Sequence, residues 1–160
     1  ATARVWRVGT GKCVQVLHGH TKAVRSASFS PCGRQVLTSS FDGTARVWDL
    51  ASGKSSVSLA AEKSVVSSAA FSPDGATVVL AQGSPSVRHY SQATGECLHA
   101  LTGHEDWVRS ATFSPDGSLL ATASFDGTAR IFCAASGECL QTLEGGVGDV
   151  LLARVVSLCA

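Results

Sequence analysis

A repeat with a period of 42 residues limits what this chain can fold into more than any other feature. The stretch 39–49 returns almost unchanged at 123–133, a weaker copy occupies 82–90, and a fragment opens the chain at 2–6. One aromatic column runs through all four copies: Trp6, Trp48, Tyr90 and Phe132. A fixed period of this length is typical of stacked repeat architectures, in which each unit buries its apolar face against its neighbour.

Turn-forming motifs recur with the same period and divide each repeat into short segments. Phe-Ser-Pro-x-Gly stands at 29–33, 71–75 and 113–117. Proline presets the turn backbone and glycine accepts the left-handed conformation that follows, so we expect turns at Pro31-Cys32, Asp42-Gly43, Pro73-Asp74, Pro115-Asp116 and Asp126-Gly127. The segments between turns have strand length, and 77–81 and 118–122 are apolar on both alternations. The pattern predicts four antiparallel strands per repeat, stacked sheet on sheet.

Composition argues against several classes of function, among them nucleic-acid binding and membrane spanning. The 160 residues carry a net charge of +1, which provides no basic field for nucleic acid. The apolar run 150–156 is interrupted by Arg154 and is too short to cross a membrane. The six cysteines form no CxxC pair, and we interpret them as buried thiols of an intracellular, cytoplasmic protein. Methionine is absent, which fits a fragment of a longer chain.

The motifs occur in a fixed order within the repeat. Gly-His, at 19–20 and 103–104, is followed by Phe-Ser-Pro-x-Gly, then by Ser-x-Asp-Gly-Thr and then by Trp-Asp. This joint pattern resembles the WD-repeat (Trp-Asp repeat) β-propeller family. The resemblance implies an all-β β-propeller segment of four-stranded antiparallel blades, about 3.5–4 repeats of 42 residues, in an incomplete ring of about fifteen strands. We label the strands of each blade a to d from the axis outward. The expected units are a partial blade at 1–18, full repeats at 19–60, 61–102 and 103–144, and a degenerate partial repeat at 145–160.

The resemblance also implies a buried tetrad of His, Ser or Thr, Asp and Trp, in which the hydroxyl both donates and accepts a hydrogen bond. The complete set is His20, Ser40, Asp42 and Trp48. The third full repeat keeps His104, Ser124 and Asp126 but has Phe132. The second has Glu62, Gln82, Ser84 and Tyr90, so its tetrad is lost. Ser, His and Asp together also suggest a hydrolase, which a buried hydroxyl facing an indole disfavours.

Two further motifs suggest ligands but lack the rest of a site. The turn 9–12, Gly-Thr-Gly-Lys, has Trp6 where a phosphate-binding loop needs glycine and Cys13 where it needs Ser or Thr. Cys97 and His99 place two potential metal ligands on one face of a strand, with no second pair nearby in sequence. We therefore predict no catalytic residue, metal or cofactor.

The residues that the fold does not need are the candidates for partner binding: Arg25, Phe41, Trp107, Arg109 and Phe125. In the family these columns ring the face that carries the b–c and d–a loops, and aromatic and Arg side chains are typical binding hot spots. The middle repeat has only Val65, Ser67 and Gly83 there, which suggests a shallow gap for an extended peptide.

We expect a non-catalytic protein–protein interaction scaffold that binds a protein or peptide, and neither nucleic acid nor membrane. Missing blades of the same chain or a second copy are further expected partners, because an open arc leaves apolar faces bare. The alternative is a propeller enzyme or small-ligand binder that uses the central channel. Strand a offers several serines there: Ser26, Ser28, Ser67, Ser68 and Ser110.

Overall fold

The computed structural model describes residues 1–60 and 64–145, which form fourteen strands and no helix. That part of the chain accordingly holds no helix long and apolar enough to cross a membrane. The strands are β1 (Thr2–Arg7), β2 (Lys12–His18), β3 (Val24–Phe29), β4 (Gln35–Ser40), β5 (Thr44–Asp49), β6 (Ser55–Ala60), β7 (Val66–Phe71), β8 (Thr77–Gln82), β9 (Val87–Ser91), β10 (Cys97–Leu101), β11 (Val108–Phe113), β12 (Leu119–Ser124), β13 (Thr128–Cys133) and β14 (Cys139–Glu144).

Each strand pairs antiparallel with its neighbour in sequence, so the sheets contain no crossover. The first sheet has two strands, β1–β2, and the second (β3–β6), third (β7–β10) and fourth (β11–β14) have four each. Short turns between adjacent strands permit only this meander. The predicted all-β arrangement of four-stranded antiparallel sheets is confirmed. The strand expected within 145–160 lies outside the described residues.

The core lies between successive sheets and is centred on strand b. In β4, β8 and β12 every residue after the first is buried, which confirms the prediction that strand b is covered on both faces. Leu37, Val47, Val66 and Leu80 belong to the apolar cluster between the second and third sheets. Full burial of one such side chain contributes about 1.5–3 kcal/mol. Stacking of the repeats therefore supplies the stability that no single sheet could reach.

The turns follow the predicted chemistry, with one shift in register. The a–b turns close through N–H to carbonyl hydrogen bonds from Gly33 to Ser30 and from Gly75 to Ser72, both 2.9 Å, which confirms the turns at Pro31-Cys32 and Pro73-Asp74. In the b–c turn, the Gly43 N–H donates to the Ser40 carbonyl at 3.3 Å. This turn is therefore centred on residues 41–42, one residue before the predicted position. The fourth sheet has the same shift, at 125–126.

The sheets form an open arc and not a closed ring. The first sheet has strands c and d only, so the side chains that strands a and b would cover are exposed. Trp6 is 53% exposed, whereas its equivalent Trp48 is 2% exposed. Phe29 is 60% exposed, whereas its equivalent Phe113, which packs against the third sheet, is 8% exposed. Self-association through such faces stays a prediction.

The prediction that the cysteines are buried is wrong for those that the structure describes. Cys13, Cys32, Cys97 and Cys139 are free and exposed, and Cys133 is free and half-buried. The repeated cysteine column begins strand d, the outer strand of each sheet, where one edge faces solvent. Cys159 lies outside the described residues.

Candidate functional site

A buried hydrogen-bond network joins the loop before β3 to strands β4 and β5. His20 Nδ1 lies 2.8 Å from Asp42 Oδ2, and His20 Nε2 lies 2.7 Å from Thr38 Oγ1. The Trp48 indole N–H donates to the same Thr38 oxygen at 2.8 Å. Because a carboxylate only accepts, Nδ1 donates to Asp42, and Nε2 of the neutral ring accepts the Thr38 hydroxyl proton. Each donor and acceptor that links the indole to the carboxylate in this network therefore has a hydrogen-bond partner.

The hydroxyl of this network belongs to Thr38, so the prediction of Ser40 is wrong. The Ser40 hydroxyl instead donates to the carbonyls of Lys22 and Ala23, at 3.2 and 3.0 Å, and accepts the Asp42 N–H. Residues two apart in a strand share a face, so Thr38 and Ser40 satisfy the same sequence pattern. The middle repeat does not separate the two positions either, because it has Leu80 and Gln82 where the second sheet has Thr38 and Ser40.

The fourth sheet contains the same network without its indole. His104 Nδ1 lies 2.8 Å from Asp126 Oδ2, and His104 Nε2 lies 2.8 Å from Thr122 Oγ1. Here too the predicted serine is wrong, because the Ser124 hydroxyl donates to the Asp106 carbonyl at 2.9 Å. Phe132 is buried where the second sheet has Trp48 and cannot donate to the threonine. The network is therefore one hydrogen bond shorter.

The middle repeat replaces the network with apolar packing. Leu80 and Tyr90 are buried in the cluster between the second and third sheets. Gln82 is buried as well, and among the described residues the Ser84 hydroxyl forms hydrogen bonds only with Ser86. Glu62, which the repeat aligns with His20, lies outside the described residues. Loss of the threonine alone removes both the acceptor for an indole N–H and the donor for an imidazole Nε2.

Hydrogen bonds hold the pKa of Asp42 well below its usual range. Burial raises this pKa, but the Thr44 hydroxyl, the Thr21 N–H, the His20 ring and the Thr44 N–H together outweigh that effect. Asp126 has the matching set of donors, and its pKa is lowered in the same way. Both carboxyl groups are therefore ionised in the folded state at pH values where they are partly protonated in the unfolded chain.

Replacing Asp42 with asparagine should flatten the acid limb of the stability curve. A carboxyl group with a lowered folded pKa contributes stability that is present above about pH 4 and is lost as the pH falls towards the folded pKa. At pH 7 the variant should lose about 1–3 kcal/mol, because the Thr44 and Thr21 donors lose an anionic acceptor. Urea unfolding between pH 3 and 7 measures both effects. A variant whose curve runs parallel to that of the wild type would refute this account of Asp42.

The five candidate partner-binding residues lie at one end of the sheets, where the b–c turns meet the segments that enter strand a. The Phe41 N–H donates to the Ala23 carbonyl at 3.0 Å, and the Phe125 N–H donates to the Trp107 carbonyl at 3.0 Å. In the third sheet, Gly83 bonds to Val65 in the same way at 2.8 Å. We call the surface formed by residues 23–25, 41–43, 65–67, 83–85, 107–109 and 125–127 the loop face.

Aromatic and cationic side chains are accessible on the loop face. Phe41 is 41% exposed and Trp107 is 52% exposed. Arg25 is exposed, and Arg109 and Phe125 are half-buried. Trp107 lies close to Gly83: a Cβ placed on that glycine would meet its Cε3 at 3.6 Å. The gap expected at the middle repeat is thus partly covered by the Trp107 ring, and the aromatic surface is more continuous than the sequence suggested.

The predicted pairing of Cys97 and His99 on one face is wrong. A register shift between these residues lets Cys97 pair with Tyr90 and His99 with His89. Arg88 Nη1 lies 4.0 Å from Cys97 Sγ, whereas the His99 ring contacts His89. Arg88 and His89 are consecutive and point to opposite faces of the sheet, so Cys97 and His99 do too. Within 1–60 and 64–145, no three His, Cys, Asp or Glu side chains are grouped to hold a metal ion.

A groove of about 510 Å³ lies at the opposite end of the sheets, between the a–b turns. Three repeated phenylalanines and three prolines line it, with Ser28 among the neighbouring residues. Ser110 is buried, and its hydroxyl has no hydrogen-bond partner among the described residues. Ser67 donates to the carbonyls of Ala81 and Val108, and Ser26 bonds to Ser39. Those hydroxyls serve the packing of the sheets.

Stacked four-stranded antiparallel meanders with short turns define the chain as a set of β-propeller blades. The family model described as "WD domain, G-beta repeat" matches residues 11–49 and 95–133. Each match runs from strand d of one sheet through strands a, b and c of the next, so a repeat joins two sheets. Two stretches of the chain are therefore recognised as WD repeats, and repeats of this family generally mediate protein–protein interaction and are generally non-catalytic.

Two relatives share short stretches with the chain. WD repeat-containing protein 25 of Mus musculus is 48% identical over 42 residues, which cover 26% of this chain and 8% of that protein. Lissencephaly-1 homolog of Heterostelium pallidum is 40% identical over 37 residues, which cover 23% of this chain and 9% of that protein. The matched stretches thus span less than a tenth of either relative.

Proposed function

We propose that the chain is a non-catalytic interaction scaffold that docks a protein or peptide partner on the loop face. One observation carries this proposal: Phe41 and Trp107 are exposed at the same end of the sheets as Arg25 and Arg109. Aromatic and arginine side chains dominate binding hot spots, and their exposure costs stability unless a partner covers them. The family's general role in protein–protein interaction supports the same conclusion.

The partner that suits this surface is an extended peptide with an acidic or aromatic residue. Arg25 and Arg109 can bind a carboxylate through two parallel hydrogen bonds, and guanidinium groups also stack on rings. The Trp107 ring, which lies close to Gly83, provides a flat apolar platform on the same face. A net charge of +1 supplies no broad field, so recognition would depend on these local groups. A cytoplasmic location and the absence of nucleic-acid and membrane partners belong to this proposal.

The competing proposal is a ligand binder or enzyme that uses the groove between the a–b turns. Its volume of about 510 Å³ is sufficient for a small molecule. The buried His, Asp and Thr groups offer it no support, because the Thr38 hydroxyl is fully buried and hydrogen-bonded to Trp48 and His20. A nucleophile needs a path to its substrate.

Replacing Trp107 with alanine should weaken peptide binding by about 1–2 kcal/mol and leave the free energy of unfolding nearly unchanged. The backbone hydrogen bond from Phe125 to residue 107 is retained in the variant. Extended peptides selected from a display library against the wild-type chain provide the probe, and titration calorimetry provides the affinities. Arg109→Ala should act in the same direction on peptides with a carboxylate.

The matched control is Trp6→Ala. Trp6 is exposed to nearly the same extent, 53% against 52% for Trp107, but it lies on the first sheet, towards the c–d turn. We expect this variant to bind the selected peptides with wild-type affinity. Equal losses of peptide affinity in the two variants would show that any exposed tryptophan contributes to binding, and not the loop face in particular. Unfolding of the Trp107→Ala variant would show that Trp107 belongs to the core.

A further inference from the structure

His89 is a buried imidazole that takes part in none of the hydrogen-bond networks described above. It lies on β9, is 4% exposed, and neither ring nitrogen has a hydrogen-bond partner among the described residues. The ring packs between His99 of the same sheet, at 5.8 Å between centroids, and Phe113 of the fourth sheet, at 5.5 Å. A buried polar ring without partners costs free energy, so its presence requires an explanation.

Comparison with the other repeats shows that the fold does not require histidine at position 89. The equivalent residues are Val47 in the second sheet and Ile131 in the fourth, both aliphatic. His99 is also particular to the third sheet, since its equivalents are Gln15, Val57 and Gln141. Two imidazoles therefore meet at a contact between sheets that the other repeats build from apolar or amide side chains.

His99 connects the same two sheets. Its Nε2–H donates to the Ala135 carbonyl in the c–d turn of the fourth sheet at 3.0 Å. The ring also packs against Gly137 of that turn, where an added Cβ would meet the His99 Cβ and Cγ at 3.0 Å. We call the contact formed by His89, His99, Phe113, Ala135 and Gly137 the histidine joint.

We propose that the histidine joint is an acid-sensitive contact, which loosens the third sheet from the fourth when His89 takes up a proton. From β8 the ring faces Val79, from β10 it faces His99, and from β11 it faces Phe113. His99 is the one ionisable group that acts electrostatically on His89 in the described part of the chain, and its charge would repel a second positive charge. Glu138, in the adjoining turn, is exposed to solvent.

The direction of the effect follows from burial. Burial lowers the pKa of His89, and His99 lowers it further. The closed joint therefore binds fewer protons than the open one below about pH 6.5, the ordinary value for histidine. Acid shifts the equilibrium towards the open joint, and the opening constant rises by up to about tenfold at one pH unit below that value.

Opening of the joint would also alter the loop face. Trp107 belongs to the fourth-sheet side of the joint and lies over Gly83 of the third. The Val108 N–H donates to the Ser84 carbonyl at 3.1 Å across the same boundary. Loss of peptide binding at mild acid would follow, and this consequence rests on the proposed function, whereas the joint itself does not.

Hydrogen–deuterium exchange of the full chain at pH 7.5 and 5.5, corrected for the intrinsic rate, tests the joint directly. In the wild type, opening at β9, β10 and β11 should increase by up to about tenfold at the lower pH. His89→Val, which installs the residue of the second sheet, should remove most of that increase. Its contribution is separable from that of His104, whose pKa is lowered chiefly by burial, because His104 is unchanged in both proteins.

A nuclear magnetic resonance titration of the wild-type ring provides a measurement that needs no variant. We expect a midpoint for His89 below about 6.5. A midpoint at or above that value would overturn the proposal, as would an unchanged joint in the wild type at pH 5.5 or an equal increase in His89→Val. Peptide binding is measured separately, so failure of the joint and failure of the loop face give different results.

Discussion

Replacing Thr38 with valine should lower the free energy of unfolding by about 3 kcal/mol, whereas the same change at Thr122 should cost about half as much. Valine keeps the shape of threonine and removes only the hydroxyl. At position 38 this leaves two buried groups without a partner, the Trp48 N–H and His20 Nε2. At position 122 it leaves His104 Nε2 alone. Each orphaned buried group costs about 1–3 kcal/mol.

The pair is informative because each variant serves as the control for the other. Thr38 and Thr122 are both fully buried in strand b and occupy equivalent positions in their sheets. Equilibrium urea unfolding of the two variants and the wild type gives the two losses on one scale. Equal losses would show that the Trp48 indole does not depend on Thr38. No loss at either position would show that the networks contribute nothing to stability.

Replacing Gly43 with alanine should destabilise the chain by about 2–4 kcal/mol, through two effects. Gly43 has φ of 84°, a left-handed conformation that L-residues with a Cβ adopt at a cost of about 1–3 kcal/mol. The added Cβ would also lie 2.9 Å from the Ser64 carbonyl oxygen. That atom belongs to backbone entering the third sheet, so the collision displaces one sheet from the other.

Gly33→Ala separates the two effects. Gly33 has φ of 69°, but a Cβ at this position would meet no atom within 4 Å. This variant should therefore show the backbone strain alone, about 1 kcal/mol. Thermal unfolding of both variants measures the difference. Similar losses would show that the b–c turn of the second sheet does not pack tightly against the segment before β7.

Local patterns in the sequence were sufficient to predict the architecture, because turn chemistry is set by neighbouring residues and a doubly apolar strand indicates burial on both faces. The turn motif at 71–75 and the doubly apolar segment 77–81 both appear in the structure as predicted. A period fixes which residues are equivalent, and so it fixes how the sheets stack. It does not by itself say which residues touch within a sheet.

The errors arise where the period leaves a choice. Thr38 and Ser40 lie on the same face of β4, so the pattern could not decide which hydroxyl reaches His20. The Cys97–His99 error comes from an irregularity in β10, which reverses the faces of the residues around it. The position of Trp107 over Gly83 depends on contact between two sheets, and no local signal reports such a contact.

Footprinting of a bound peptide tests the proposed interaction surface most directly, because it separates the loop face from the groove at the opposite end. Hydrogen–deuterium exchange of the full chain, with and without a peptide selected from the display library, locates the contact. We expect protection at residues 23–25, 41–43, 83–85, 107–109 and 125–127. Protection confined to 29–33, 71–75 and 113–117 would contradict the proposal and assign binding to the groove.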